Sequence, residues 1–260
     1  MKKNILFSMT TVIERPDKRE QLLKSLRSIH KYEPKLNQYA KIVVVNEYSE
    51  TGIKADFLKK EFPWITTIIN KTKKDKGQAG SLNLIIKMLG TKTKPKFDFL
   101  IHWEESWSAT KPFLKICDEA MSIGIDQLQL TEDNWMEDFD YSIILPKTRR
   151  KIYVQTKHIP YAGYSDCDSS IHNAKHIEKY CRDQGQDEWP LWSLRPGIDR
   201  VSKVLNIGLF NTSKVMWPVH FELAWAYQWT MQKGGIVKAG IECAKRQEGH
   251  VSFSDVNYKN

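Results

Sequence analysis

The chain of 260 residues carries a formal net charge of +9, with 41% hydrophobic and 27% charged residues, a balance that fits one large globular domain or two closely joined halves. No apolar run approaches the roughly 20 residues that cross a bilayer. Four scattered cysteines, Cys117, Cys167, Cys181 and Cys243, form no CxxC pair and exclude a disulfide framework.

The opening stretch MKKNILFSMTTVIERP lacks the long apolar core and small-residue cleavage site of a signal peptide. It reads as a first strand, so the expected location is cytoplasmic, with peripheral membrane contact left open. After Pro16, the segment Lys18 to His30 places Leu22, Leu23, Leu26 and Ile29 on one helical face. KIVVVN (Lys41 to Asn46) is a continuous apolar run, as in a strand covered on both faces. A second helix is expected near Thr51 to Phe62, ending before Pro63, and WITTIIN (Trp64 to Asn70) is a third strand. A helix over Gly80 to Leu89, a strand FDFLIHW, a helix over Pro112 to Ile123 and a strand IDQLQL follow. Strands and helices that alternate in this way predict βαβ units and a mainly parallel sheet.

From about residue 131 the alternation stops. Residues 132–141 are acidic and aromatic, Pro160 to Pro196 is loop-rich, and a helix is expected from Phe221 to Lys233 before the Gly234-Gly235 pair. The division expected is residues 1–130 as a nucleotide-binding half and 131–260 as an acceptor-binding half of the same compact domain.

Ligands of open parallel sheets sit beyond the carboxyl ends of the strands. Those ends read Thr10-Thr11, Asn46-Glu47, Asn70-Lys71 and His102-Trp103-Glu104-Glu105. The adjacent Glu104 and Glu105 are the sharpest feature, because unpaired like charges are costly to bury. Solvent, a basic partner or a divalent ion relieves that cost. If the strand continues, the two carboxylates point to opposite sides. One is then free to hold Mg²⁺ or Mn²⁺, which favour oxygen ligands and bridge to phosphates, while the other orients the ligand or packs against a basic residue.

The order of elements resembles the GT-A fold of glycosyltransferases, in particular glycosyltransferase family 2, over roughly residues 4 to 130. HWEESW (His102 to Trp107) is similar to the family's His-x-Glu-Asp-Asp-Trp version of its acidic metal motif. FSMTTVIERPD resembles its opening strand and loop. IVVVNEYSETG resembles its second strand and acidic turn, and KGQAGSLNLIIKML the Gly-to-Asn segment before the metal motif. The resemblance implies a nucleotide-sugar site at Thr10, Thr11, Arg15, Asn46, Glu47, Gln78, Asn83, His102 and Glu104. It implies Mn²⁺ or Mg²⁺ at Glu105, Ser106 and His250, with Ser106 standing where relatives carry the last carboxylate. An inverting transferase needs a general base to deprotonate the acceptor hydroxyl; Glu222, in HFELAWAYQW, and Asp133, in TEDNW, are the two candidates.

Lys76 and Arg195 are further candidates for phosphate. Trp189 and Trp192, in a Pro-containing loop, are candidate sugar platforms, whereas Trp225 and Trp229, four apart on a helix, read as core. Cys167, His172, His176 and Cys181 form a second constellation with zinc-type ligands. The function expected is transfer of a sugar from a nucleotide-diphosphate donor to a carbohydrate, lipid or protein hydroxyl. The rival readings are an inert nucleotide-binding homologue, a nucleotidyltransferase, which should carry glycines after its first strand, and a basic nucleic-acid-binding protein. Partners expected are the sugar donor and the acceptor, without nucleic acid.

Overall fold

The computed structural model describes residues 4–75, 77–131, 139–156, 192–210 and 237–248, with 212, 221–222, 225–226, 228–229 and 232. Strand β1 (Ile5–Thr11) is buried along its whole length, its polar Ser8, Thr10 and Thr11 included. Helix α1 (Pro16–Tyr32) has proline at its start, where the missing N–H costs nothing, and buries Leu22, Leu26 and Ile29. A short α2 (Leu36–Tyr39) leads into β2 (Ala40–Asn46).

The helix expected over Thr51 to Phe62 is largely absent. A 3₁₀ turn, Ala55–Phe57, and one α-turn, α3 (Leu58–Glu61), take its place. The Glu14 carboxylate accepts the Thr51 amide at 3.0 Å, and Ser49 Oγ accepts the Ile53 amide at 3.0 Å. Side chains that capture these backbone donors compete with the helical ladder. Ile53, in this segment, is 40% exposed.

β3 (Thr67–Asn70) is followed by α4 (Gln78–Met88). Gly77 sets the start of α4 with φ of 93°, a conformation open to glycine. A small hairpin of β4 (Gly90–Thr91) and β5 (Lys94–Pro95) precedes β6 (Phe99–Glu104). Then come β7 (Trp107–Ala109), α5 (Leu114–Ser122) and β8 (Gln127–Thr131). The rest comprises β9 (Tyr141–Ile144), β10 (Lys151–Gln155), β11 (Gly197–Arg200), α6 (Val201–Ile207) and β12 (Lys238–Arg246).

The main sheet runs β3-β2-β1-β6-β11-β8-β12-β10-β9, with β7 paired to β12. β3, β2, β1 and β6 are parallel, and β8 is parallel to β12. β11 runs antiparallel between β6 and β8, so the later part of the chain completes the same sheet. One apolar layer packs α1 and α5 against Phe7, Ile101 and Trp103. The opposite layer packs α4 and α6 against Leu6 and Leu100. Trp225 and Trp229 belong to that second layer, as their spacing predicts, and Phe221, Glu222, Trp225, Ala226, Gln228 and Trp229 are helical.

Candidate functional site

The carboxyl ends of the parallel strands align in register. Thr10 lies beside Glu104, Thr11 beside Asn46, and Asn46 beside Asn70. Asn46 Oδ1 accepts the Ile13 amide at 3.2 Å, and its Nδ2 donates to Asn70 Oδ1 at 3.3 Å. Asn70 Oδ1 also accepts the Ala55 amide, at 2.8 Å. These two amides therefore tie the loops after β1 and β2 to the strand ends. Thr10 and Thr11 are buried at the same edge, and the Thr11 hydroxyl has no hydrogen-bond partner among the described residues. Such a buried hydroxyl is a vacant polar contact.

Glu47 sits one residue past β2 and is fully engaged. Its carboxylate accepts Lys71 Nζ at 2.8 Å, the Tyr48 amide at 2.9 Å and the Gly77 amide at 3.1 Å. Lys71 also donates to the Gly77 carbonyl at 2.7 Å and to Ser81 Oγ at 2.9 Å, so all three of its protons are placed. Burial lowers the Lys71 pKa, with the Glu47 carboxylate opposing the shift. This pair clamps the start of α4 to the ends of β2 and β3.

β6 ends in a turn at Glu105 and Ser106 before β7. Trp103 Nε1 closes the turn by donating to the Trp107 carbonyl at 3.0 Å. Gln247, just past the end of β12, staples it: the Ser106 carbonyl accepts its amide at 2.8 Å, and its Nε2 reaches the Glu105 carbonyl at 3.0 Å. The strand does not continue through Glu105, yet the two glutamates diverge, Glu105 leaving from the turn. Glu104 Oε1 accepts Gln78 Nε2, on the first turn of α4, at 2.7 Å. Glu105, buried, lies 3.6 Å from Lys18 Nζ, on the first turn of α1.

Burial raises the Glu104 carboxyl to about 7, and repulsion from Glu222 adds to the rise. Burial also raises Glu105 to about 7, against the pull of Lys18. Arg246, at the end of β12, lowers Glu104 and stands 5.0 Å over the Trp107 ring. Glu222 accepts the Leu194 amide at 2.8 Å, and burial raises its carboxyl. Glu104 and Glu222 thus come from distant parts of the chain, lie within electrostatic reach of one another and each have a raised proton affinity.

Three expected donor-site residues are committed elsewhere. His102 is 3% exposed, sits 3.2 Å from Ser8 Oγ through Nδ1, and burial lowers it to about 4. It lies inside the sheet because β11 covers the β6 edge there. Asn83 donates to the Phe210 carbonyl at 2.9 Å and accepts the Phe210 amide at 2.7 Å, which uses its amide as a brace between α4 and the later chain. Arg15 pairs with Asp17 at 2.7 Å on the surface. Glu105, expected at the metal, is turned to Lys18 instead, because its neighbour Glu104 takes the opposite side of the strand end. Trp192, a candidate sugar platform, is 4% exposed and donates to Asp199 at 3.2 Å inside the aromatic layer.

Asp133, His250, Lys76, Trp189 and the Cys167, His172, His176 and Cys181 constellation lie outside the described residues. Lys18, Lys71 and Arg246 were not singled out from the sequence. Lys71 alone had a local signal, its position at a strand end; the other two meet the site only through the fold.

Among the described residues, no three His, Cys, Asp or Glu side chains converge on one point. The Glu222 charge adds to the rise of Glu104, and a divalent cation at Glu104 would offset that repulsion. One or two carboxylates with waters and substrate phosphates is the donor set Mg²⁺ and Mn²⁺ accept, so the residues present fit such an ion at Glu104.

No protein-family model matches the chain, and no curated protein does. Solved structures match it by fold. The chain is similar to TarS 1-349 of S. aureus, at 12% identity and a TM-score of 0.55, over 92% of this chain and 58% of that one. TarS 1-349 in complex with UDP matches equally, over 93% of this chain and 58% of that one. GalNAc-T7 with UDP, GalNAc and Mn²⁺ matches at 12% identity and a TM-score of 0.51, over 95% of this chain and 45% of that one. The chain therefore spans about half the length of these neighbours. The likeness shows the fold: this is the GT-A fold of glycosyltransferases.

Proposed function

We propose that the chain is a glycosyltransferase that moves a sugar from a uridine-diphosphate donor to an acceptor hydroxyl, with inversion. The observation that carries this reading is that Glu104, on the metal-motif strand at the carboxyl end of a GT-A sheet, lies within electrostatic reach of Glu222, on a helix of the later chain. The neighbours in this fold include structures with UDP.

Glu222 is the general base. Its carboxyl is raised by burial, which brings its proton affinity closer to that of a working base at neutral pH. The Leu194 amide and the Ser193 hydroxyl hold the carboxylate in place, with the charges of Arg195 and Lys238 nearby. As the acceptor oxygen bonds to the anomeric carbon, its proton passes to Glu222. The bond from that carbon to the diphosphate breaks, and its electron pair leaves with the diphosphate. A single displacement of this kind inverts the carbon. Arg246 supplies a fixed positive charge near Glu104, and the Thr11 hydroxyl is free to contact the nucleoside. Mn²⁺ or Mg²⁺ held at Glu104, when bound, supplies neutralisation of the charge gathering on the diphosphate.

Calorimetry of UDP, GDP, CDP and dTDP with and without Mn²⁺, on the native chain and Glu104→Ala, tests the donor side. UDP should bind best, with Mn²⁺ strengthening it, and Glu104→Ala should lose the Mn²⁺ effect. Failure of every diphosphate to bind overturns the reading. Binding without turnover of any donor sugar would favour an inert homologue, for which Ser106 in the acidic motif is the argument.

A further inference from the structure

The β9–β10 hairpin is built in an unusual way for an exposed edge. Residues 141–156 contain four cations, Lys147, Arg149, Arg150 and Lys151, and no Asp or Glu. All four are exposed. Arg149 and Arg150 make no ion pair among the described residues. Beside them Ile144 is 59% exposed and Tyr141 44% exposed, on the outermost strand of the sheet.

The turn is held rigid from beneath. Leu145 is fully buried, and its amide donates to the Arg150 carbonyl at 2.8 Å. The Glu119 carboxylate accepts the amides of Lys147 and Thr148 and the Thr148 hydroxyl. That carboxylate serves backbone donors, so the basic side chains above it stay outward. Arg149 adopts φ of 57°, among the described residues the one non-glycine with a positive φ. Glycine or asparagine fills such a turn position with less strain. An arginine kept there at a cost points to a use for its side chain.

A solvated lysine-rich loop accounts for charge alone. It does not account for unpaired arginines set beside a large exposed aliphatic side chain on a braced hairpin. Uncovered edge strands are ordinarily blunted with charge because an apolar edge is a liability, and here both features occur together. Cations beside an aliphatic wedge match the headgroup and upper acyl region of an anionic bilayer. Nucleic acid would instead be met by several free aromatic faces; here Phe139 and Tyr153 pack against each other at a tilt with Lys151 over them, and Tyr141 is the one exposed ring of residues 139–156. β10 runs antiparallel to β12, so the hairpin turn lies toward the end of the sheet where β12 finishes at Arg246.

We infer that the β9–β10 hairpin docks the protein on an anionic membrane surface through Arg149, Arg150, Lys147 and Ile144. Docking there would hold the carboxyl end of the sheet toward the bilayer. The inference does not rest on the proposed transfer reaction.

Co-sedimentation with phosphatidylcholine vesicles, with and without phosphatidylglycerol, tests it on the full chain. The native protein should bind only the phosphatidylglycerol vesicles and be released by high salt. Arg149→Ala with Arg150→Ala should weaken partition roughly 30-fold, at about one tenfold step or less per charge. Ile144→Ser should weaken it several-fold even at low salt. These side chains are exposed, so thermal midpoints should not move. Equal binding by native and variant chains, equal binding to neutral vesicles, or tighter binding to single-stranded RNA or duplex DNA than to vesicles would overturn the inference.

Discussion

Glu104 and Glu105 are neighbours in the chain and opposites in the fold: one reaches Gln78 on α4 at 2.7 Å, the other Lys18 on α1 at 3.6 Å. One strand end therefore serves two purposes. Glu105 anchors the turn to the helix that follows β1. Glu104 is left on the side where Glu222 and Arg246 approach. The question raised by adjacent buried acids has a split answer, a basic partner for one and the open site for the other.

Lys18→Met should test the anchoring role. It leaves Glu105 buried without its cation, and breaking a buried pair from one side costs about 3 kcal/mol. Urea unfolding should show most of that loss at alkaline pH and less in acid, where the carboxyl takes a proton.

Asn83→Ala should separate bracing from binding. Both of its bonds go to the Phe210 backbone, so the buried Phe210 groups lose their partners. Stability should fall by about 1–3 kcal/mol while UDP affinity stays unchanged in calorimetry. A large loss of UDP affinity with unchanged stability would place Asn83 at the nucleotide after all.

Lys71→Met removes an amino group with three placed bonds and strands the Glu47 carboxylate. A loss of about 3 kcal/mol is expected in urea unfolding. Because Gly77 and Gln78 lose their clamp, UDP affinity should fall as well.

Stability should decline as pH rises toward neutrality. Glu104, Glu105 and Asp199 are each raised to about 7 by burial. Between their ordinary values and about 7 the folded chain binds more protons than the unfolded one, so unfolding free energy falls with rising pH. His102 works the other way. Lowered from 6.5 to about 4, it costs stability as pH drops through that window. Above 6.5 only the acids act, and below it His102 offsets part of their gain. Unfolding free energy near pH 6 should exceed that near pH 8 by about 1–3 kcal/mol. Asp199→Asn should flatten the difference in urea titrations. A rise in stability across that interval would contradict the assignment.

Much of this fold was legible because parallel strands buried on both faces leave continuous apolar runs, as in KIVVVN, and because α1 shows its face through Leu22, Leu26 and Ile29. The strand alternation that would separate Glu104 from Glu105 does not extend that far, because β6 ends at Glu104 and Glu105 lies in the turn. What was not legible came from partners remote in sequence. Glu14 and Ser49 capture the amides of Thr51 and Ile53, so a periodic segment fails to become a helix. β11 and Phe210, from the later chain, bury His102 and occupy Asn83. The order of a motif says nothing of its depth. Trp192 looked exposed beside Pro190 and Pro196, yet Asp199 and the rings of Phe210 and Trp225 enclose it.

The central claim is that Glu222 activates an acceptor beside a donor held at Glu104. Its most direct test is the release of UDP from a panel of UDP-sugars by the native chain and Glu222→Gln, with UDP affinity measured on both. The account predicts turnover of at least one donor by the native chain, a fall of roughly 10²- to 10⁴-fold in Glu222→Gln, and unchanged UDP affinity. Turnover that survives Glu222→Gln undiminished would contradict it.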